Sequence, residues 1–395
     1  MKIALLTEKY TPDIGGLAIS SERFAHLFSS AKHEVRIFAP TINLPPSEKQ
    51  TLTSNGVSIT RFGAHKRMDD TLVDWFELIV EEHKREPFDV LHAYFLTQAG
   101  FVAAYAGKYL NIPSVVSIRG NDIERAPFDP SKFSHVMYAL QNASAVTTNA
   151  TELAKKAKAF VEREIHIIPN GVDTTHFKPK ENVQQLLQTL RLTTLDSSGY
   201  PSPFSQQQAP PLHNWAIGFV GELREKKGLT TLLSAYAQIN KTQPTTLLII
   251  GIIRQGEDKK VFDEFVISNP GLQIIVTGYV APKELPTYYS LMDVFVHPSL
   301  RDGMPNAVLE AMACEKAVVA TGVGGVSDVI KDGENGSIVP ANDADALSNA
   351  ILALLESEST RARLGKAARQ TIVTDCTLEK ELNGNLEVYR QLGIT

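Results

Sequence analysis

The chain has 395 residues, room for two or three domains at about 150 residues each. Apolar residues make up 43% and charged residues 21%, the balance of an ordinary globular protein. With 39 basic and 44 acidic side chains the net charge is -5, which argues against a general polyanion binder, so nucleic acid is not an expected partner. The two cysteines, Cys314 and Cys376, form no CxxC or Cys/His cluster, which argues against a disulfide scaffold and a structural zinc site. They read as free thiols of a reducing compartment. The opening MKIALLTEKY is too short and polar for a signal peptide, and no window approaches about 18 consecutive apolar residues. A cytoplasmic location is expected, with contact at a membrane surface left open; oligomeric state is not readable.

Taken in order, Lys2–Thr7 is a short apolar run that reads as a buried parallel strand. A loop with Pro12, Gly15 and Gly16 leads to a helix over Ser20–Ser30. Strands follow at Glu34–Ala39 and Val57–Phe62, then an amphipathic helix at Asp70–Glu82 with Leu72, Trp75, Phe76 and Ile79 inward. Asp89–His92 is a strand, Thr97–Tyr109 a helix, Ser114–Ile118 a strand and Ser131–Gln141 a helix. Ala145–Thr148, a helix over Ala150–Phe160 and Ile165–Ile168 close the series. Strands alternating with helices mark an α/β domain.

From about residue 179 to 213 the text turns polar, with a short helix expected around Leu186–Leu192 and a mobile loop rich in Ser, Gln and Pro over 197–211. A second α/β series then begins. Its strands are Ala216–Val220, Thr246–Ile250, Ile274–Thr277, Asp293–His297 and Ala317–Ala320. Its helices are Leu229–Ile239, Leu285–Met292, Asn306–Ala313 and Asp343–Leu355, and Thr377–Leu392 is a long amphipathic tail helix. The organisation expected is an N-terminal domain over 1–175, a linker or insertion over 176–213, a C-terminal domain over 214–376, and a helix over 377–395 that packs back on the first domain. The default place for a site is a cleft between the two domains.

Ligands of such sheets bind outside the carboxyl ends of strands, so the loops there carry the candidates. Gly15 and Gly16 allow close backbone approach to a ligand, or simply make a tight turn. Gly221 to Gly228 (GELREKKG) sets Arg224, Lys226 and Lys227 between a strand and a helix, suited to phosphate oxygens but also to a solvated loop. It is not the GxxxxGK[ST] loop of nucleotide hydrolases.

Asp302 and Glu310 flank Gly303, Met304 and Pro305, which place backbone N–H groups at the start of a helix with Asn306 as its N-cap. Carboxylates suit a polyhydroxylated ligand. The glycines of Gly322–Val326 make a turn or line the same ligand. In the first half, His92 ends a core strand as a wall residue or a ligand contact. Arg119, before Gly120, Asn121 and Asp122, needs an anionic partner, an acid or a phosphate. Asn170 opens a capped turn or hinge. No GxSxG elbow, HExxH or metal-ligand spacing is present.

The ordered set PDIGG, IIPNGVDTTHF, GELREKKG and PSLRDGMPNAVLEAMACEKAVVATGVGGVSDVI resembles the retaining glycosyltransferases of group 1 (family 4), over nearly the whole chain. The resemblance implies the GT-B architecture: two Rossmann-like, doubly wound α/β domains facing across a cleft. It implies transfer of a hexose from a UDP- or GDP-sugar to a glycan, lipid-linked or small-molecule acceptor, as in polysaccharide biosynthesis. No cofactor or metal is implied beyond the donor substrate.

By resemblance, Lys227 holds the donor pyrophosphate and Glu310 the ribose hydroxyls. Asp302 stands where the family's E-x7-E motif has its first acid and contacts the transferred sugar. Gly303, Met304, Pro305 and Asn306 support it, and Gly15, Gly16 and Gly221 approach the phosphates. Catalytic roles are expected for Lys227, Arg224, Asp302, His92 and Arg119, and acceptor contacts for Asn121, Asp122 and Asn170.

Two positions depart from the family pattern. Glu222 replaces an arginine, with Arg224 as the substitute, and Arg119 stands where a histidine is usual. Arginine stays protonated, so Arg119 cannot be a general base; it answers a departing phosphate or an anionic acceptor. The alternatives are another GT-B nucleotide-sugar enzyme, an epimerase or phosphorylase relative, and a non-catalytic sugar-nucleotide binder. Lys227→Ala is expected to abolish most transfer with little effect on folding.

Overall fold

The computed structural model describes residues 1–13, 15–180 and 215–394. The expected helix near 186–192 and loop at 197–211 lie outside them. Two compact units emerge, one of Met1–Asn170 with Leu378–Thr395 and one of Gly171–Thr377.

The first unit is built on eight strands: β1 (Lys2–Thr7), β2 (Glu34–Pro46), β3 (Lys49–Ser54), β4 (Val57–Gly63), β5 (Val90–Tyr94), β6 (Ser114–Ile118), β7 (Ala145–Thr148) and β8 (His166–Ile167). Their order is β3-β4-β2-β1-β5-β6-β7-β8, with only β3 antiparallel to its neighbour. The helices are α1 (Gly16–Ser30), α2 (Met68–Arg85), α3 (Gln98–Leu110), α4 (Asn121–Glu124), α5 (Pro130–Asn142) and α6 (Thr151–Lys158). The central strands are buried on both faces, which is why they read as unbroken apolar runs. The length of β2 and the presence of β3 escape apolar periodicity. Every residue of β3 is exposed, so edge pairing with β4 supplies backbone bonds without burying an apolar face.

The second unit carries β9 (Ala216–Val220), β10 (Thr246–Ile250), β11 (Gln273–Val276), β12 (Val294–His297), β13 (Ala317–Thr321) and β14 (Ser337–Val339), ordered β11-β10-β9-β12-β13-β14 and all parallel. Its helices are α7 (Leu229–Ile239), α8 (Glu257–Ser268), α9 (Leu285–Ser290), α10 (Asn306–Ala313), α11 (Val326–Val329), α12 (Ala344–Glu356) and α13 (Glu358–Asp375). Neither α8 nor α13 was anticipated. Helix α13 buries only Leu364, Gly365, Ala368 and Ile372, a stripe too narrow to stand out among its charges.

The last helix, α14 (Leu378–Gln391), belongs to the first unit. Its Val388 and Tyr389 join the core beside Phe24 and Phe28 of α1. Arg23 of α1 forks onto the buried Glu381, at 3.0 and 3.2 Å. Among the parallel strands of each unit the order reverses at one place: between β1 and β5 in the first, and between β9 and β12 in the second. The loops beyond the carboxyl ends of those pairs are where this topology leaves a crevice.

Candidate functional site

In the second unit, Lys227 comes from the loop after β9 and Asp302 from the loop after β12, on either side of the reversal. Their side chains meet in an ion pair, each about one-fifth exposed, at 21% and 17%. The same Asp302 oxygen accepts from Nε2 of His297, the last residue of β12, at 3.0 Å. Its other oxygen accepts from the Gly303 N–H at 3.1 Å. Burial alone would raise the Asp302 carboxyl, but the Lys227 charge and the His297 hydrogen bond override it and hold it well below the usual carboxylate range. Burial lowers the His297 imidazole against the pull of Asp302, so the neutral ring donates from Nε2; its buried Nδ1 has no partner among the described residues.

Backbone contacts weld these loops together. Leu300 N–H donates to the Lys226 carbonyl at 2.9 Å. Gly228 has φ +79°, and a Cβ there would lie 2.0 Å from the Pro298 carbonyl oxygen. Gly324 packs on the Asp302 and Gly303 carbonyls, and Gly325 N–H donates to Gly303 at 2.6 Å, so the 322–326 glycines buttress the acid loop. Gly221 turns at φ +130° with its N–H given to the Ile250 carbonyl.

Glu310, one turn into α10, accepts from the Tyr289 hydroxyl at 2.8 Å. Burial and the Glu310 charge keep that phenol far above its ordinary pKa, hence protonated and a donor. Met304 is buried at 6%. Asn306 is the first residue of α10 rather than its cap; Pro305 holds the N-cap position and, having no N–H, offers a ligand none. Arg224 does not join Lys227: its Nη1 lies 3.2 Å from Glu222, and the two charges answer each other locally. The guanidinium thus lies beside Glu222, while its buried Nε has no partner among the described residues.

In the first unit Gly15 precedes α1 at φ +134°, and a Cβ on either Gly15 or Gly16 meets nothing. His92, expected among the catalytic residues, lies inside the core as a wall residue. It is 0% exposed, with Nδ1 2.6 Å from the Tyr389 hydroxyl and Nε2 2.7 Å from that of Ser117. Burial, helped by the Arg119 charge, pushes it well below its ordinary value and keeps it neutral.

Asp122, expected as an acceptor contact, also lies inside the core. It is fully buried and takes N–H bonds from Arg119, Gly120 and Leu96, stitching the loops after β5 and β6. Asn121 is exposed at the start of α4. Asn170 is buried and accepts from Arg119 at 3.1 Å and from Asn149 at 3.2 Å. Sequence reading missed His297, Tyr289 and Asn149. His297 carried a usable signal, a histidine ending an apolar strand just before a dense loop.

Family models match both halves of the chain: glycosyltransferase family 4 over 14–176 and glycosyl transferases group 1 over 202–371. The chain is 24% identical to the alpha-maltose-1-phosphate synthase of Mycolicibacterium smegmatis over the full length of both. The sucrose-phosphate synthase of Thermosynechococcus elongatus superposes with a TM-score of 0.80 at 22% identity, over 99% of this chain and 98% of that one. The Anabaena protein HepE, solved in complex with UDP-glucose, superposes with a TM-score of 0.76 at 19% identity, over 100% and 99%.

Proposed function

Since the chain belongs to the group 1 glycosyltransferases and has their GT-B fold, we propose that it moves a hexose from a nucleoside-diphosphate sugar to an acceptor hydroxyl, with retention at the anomeric carbon. The observation that carries this reading is the Lys227–Asp302–His297 cluster at the strand-order reversal of the second unit. As the anomeric C–O bond to the diphosphate breaks, charge grows on the leaving oxygen, and the Lys227 ammonium answers it from a fixed position. Its three protons serve the Asp302 carboxylate and a phosphate oxygen together.

Asp302 has about four lone-pair sites, three of them taken by Lys227, His297 and Gly303, and offers the remainder to a hydroxyl of the transferred sugar. Glu310, oriented by Tyr289, accepts from the ribose hydroxyls. The acceptor oxygen bonds to the anomeric carbon on the face the diphosphate leaves, and its proton passes to the departing phosphate oxygen. Asp302 and Glu310 therefore act on the donor and are not a glycosidase pair. The HepE complex supports a UDP-sugar as the first donor to try.

A panel of UDP- and GDP-sugars, with and without acceptors, tests the proposal. One donor is expected to release its nucleotide in step with an acceptor product of unchanged anomeric configuration. An inverted product overturns retention. Nucleotide binding with no turnover on any acceptor, or product formed without one, overturns transfer.

A further inference from the structure

At the carboxyl edge of the first unit's sheet, four polar residues lie side by side. Tyr94 ends β5, Arg119 follows β6, Asn149 follows β7 and Asn170 comes just beyond β8. The Arg119 guanidinium lies 4.0 Å from the centre of the Tyr94 ring and donates from Nη1 to Asn170 Oδ1 at 3.1 Å. Asn149 donates to that same oxygen, at 3.2 Å. The guanidinium plane is thus held by an aromatic face and a neutral amide.

What this cation lacks is an acid. Among the described residues no carboxylate stands within 4.0 Å of it, whereas Arg23, Arg36 and Arg61 of the same unit have Glu381, Glu82 and Asp13. Asp122, three residues on, spends both oxygens on backbone N–H groups. Among the described residues the buried Nε of Arg119 and Oδ1 of Asn149 have no partner either. A rigid, partly buried guanidinium with only neutral neighbours bears a desolvation cost that a bound anion would offset. Its fork geometry suits the paired oxygens of a phosphate.

We propose that Arg119, steadied by Tyr94 and Asn170, is an anion subsite that reads a phosphate group on the acceptor. The word acceptor rests on the transfer reading above; the anion subsite does not. The competing source of the same chemistry is the donor's own diphosphate, and the test separates the two.

The full-length protein is titrated calorimetrically with inorganic phosphate, D-glucose 1-phosphate and D-glucose, with and without saturating UDP. The wild type is expected to bind both phosphate probes in the presence of UDP and to bind glucose far more weakly. Arg119→Gln should weaken the phosphate probes by about tenfold or more, with UDP affinity held within about twofold. Asn170→Asp, which installs a carboxylate beside the guanidinium, should do the same and serves if Arg119→Gln fails to fold. Unchanged phosphate binding in the variants, or none in UDP-bound wild type, overturns the subsite. Loss of UDP binding alongside phosphate reassigns Arg119 to the donor and also overturns it. If UDP never binds but phosphate binding still depends on Arg119, the transfer reading falls and the subsite stands.

Discussion

Removing Lys227 tests two functions of one side chain. The sequence suggests a lysine held ready for phosphate and dispensable to folding, whereas the structure pairs it with Asp302, with both side chains about four-fifths out of water. In Lys227→Ala the carboxylate keeps His297 and the Gly303 N–H but loses the one full positive charge paired with it among the described residues. A fully buried pair broken on one side costs about 3–5 kcal/mol. Partial exposure and the surviving bonds bring this one to about 1–3 kcal/mol.

Transfer should fall by about 2–4 kcal/mol, roughly 30- to 1,000-fold in rate, as for an oxyanion donor. The double variant Lys227→Ala with Asp302→Asn removes the stranded charge, so it should regain most of the stability and none of the transfer. Urea unfolding reads the first quantity, and nucleotide release at saturating donor reads the second. Turnover in Lys227→Ala within about threefold of wild type refutes the phosphate role. Transfer regained in the double variant would show that Lys227 serves only to hold Asp302.

Three further outcomes follow from the same geometry. Tyr289→Phe leaves Glu310 without its phenolic donor; UDP binding should weaken several-fold while 2′,3′-dideoxy-UDP, lacking the hydroxyls Glu310 would hold, binds as before, and equal loss for both nucleotides would make Tyr289 purely structural. Burial, against three backbone N–H bonds, raises the Asp122 carboxyl to about 6 from 3.8. The folded state therefore holds this proton more tightly, so the stabilisation is present below the unfolded value and lost as pH rises through about 6, at most about 3 kcal/mol. Urea unfolding across that window should show the fall, and Asp122→Asn should flatten it. Gly228→Ala should destabilise by about 2 kcal/mol or more, because its Cβ meets the Pro298 carbonyl at 2.0 Å and φ is +79°; an unchanged thermal midpoint would refute the close approach.

Most of the architecture was legible because the central strands are buried on both faces and so appear as apolar runs between helices. The elements that escaped draw their stability from elsewhere. β3 is held by edge pairing, and α13 by a four-residue contact stripe. The loops that carry Lys227 and Asp302 were legible too, since both follow the ends of apolar strands.

Local sequence did not carry the partner of each charge. That Lys227 binds Asp302, that Glu310 answers to Tyr289 and that Arg119 meets Asn170 and, among the described residues, no acid follow from strand order, which brings together loops up to 75 residues apart, whereas the pairing of Arg224 with Glu222 is made within one loop. His92 makes the same point. Read as the end of a strand it left wall and ligand contact equally open, whereas it lies in the middle of β5, with its ring nitrogens on Ser117 and on a hydroxyl from α14, 297 residues away. The amino-acid sequence by itself determined the class of fold and the kinds of group at the carboxyl edges of two sheets. The tertiary structure alone decided which of those groups compensate one another and which cation has no acid beside it among the described residues, because charge compensation depends on distances that only folding sets.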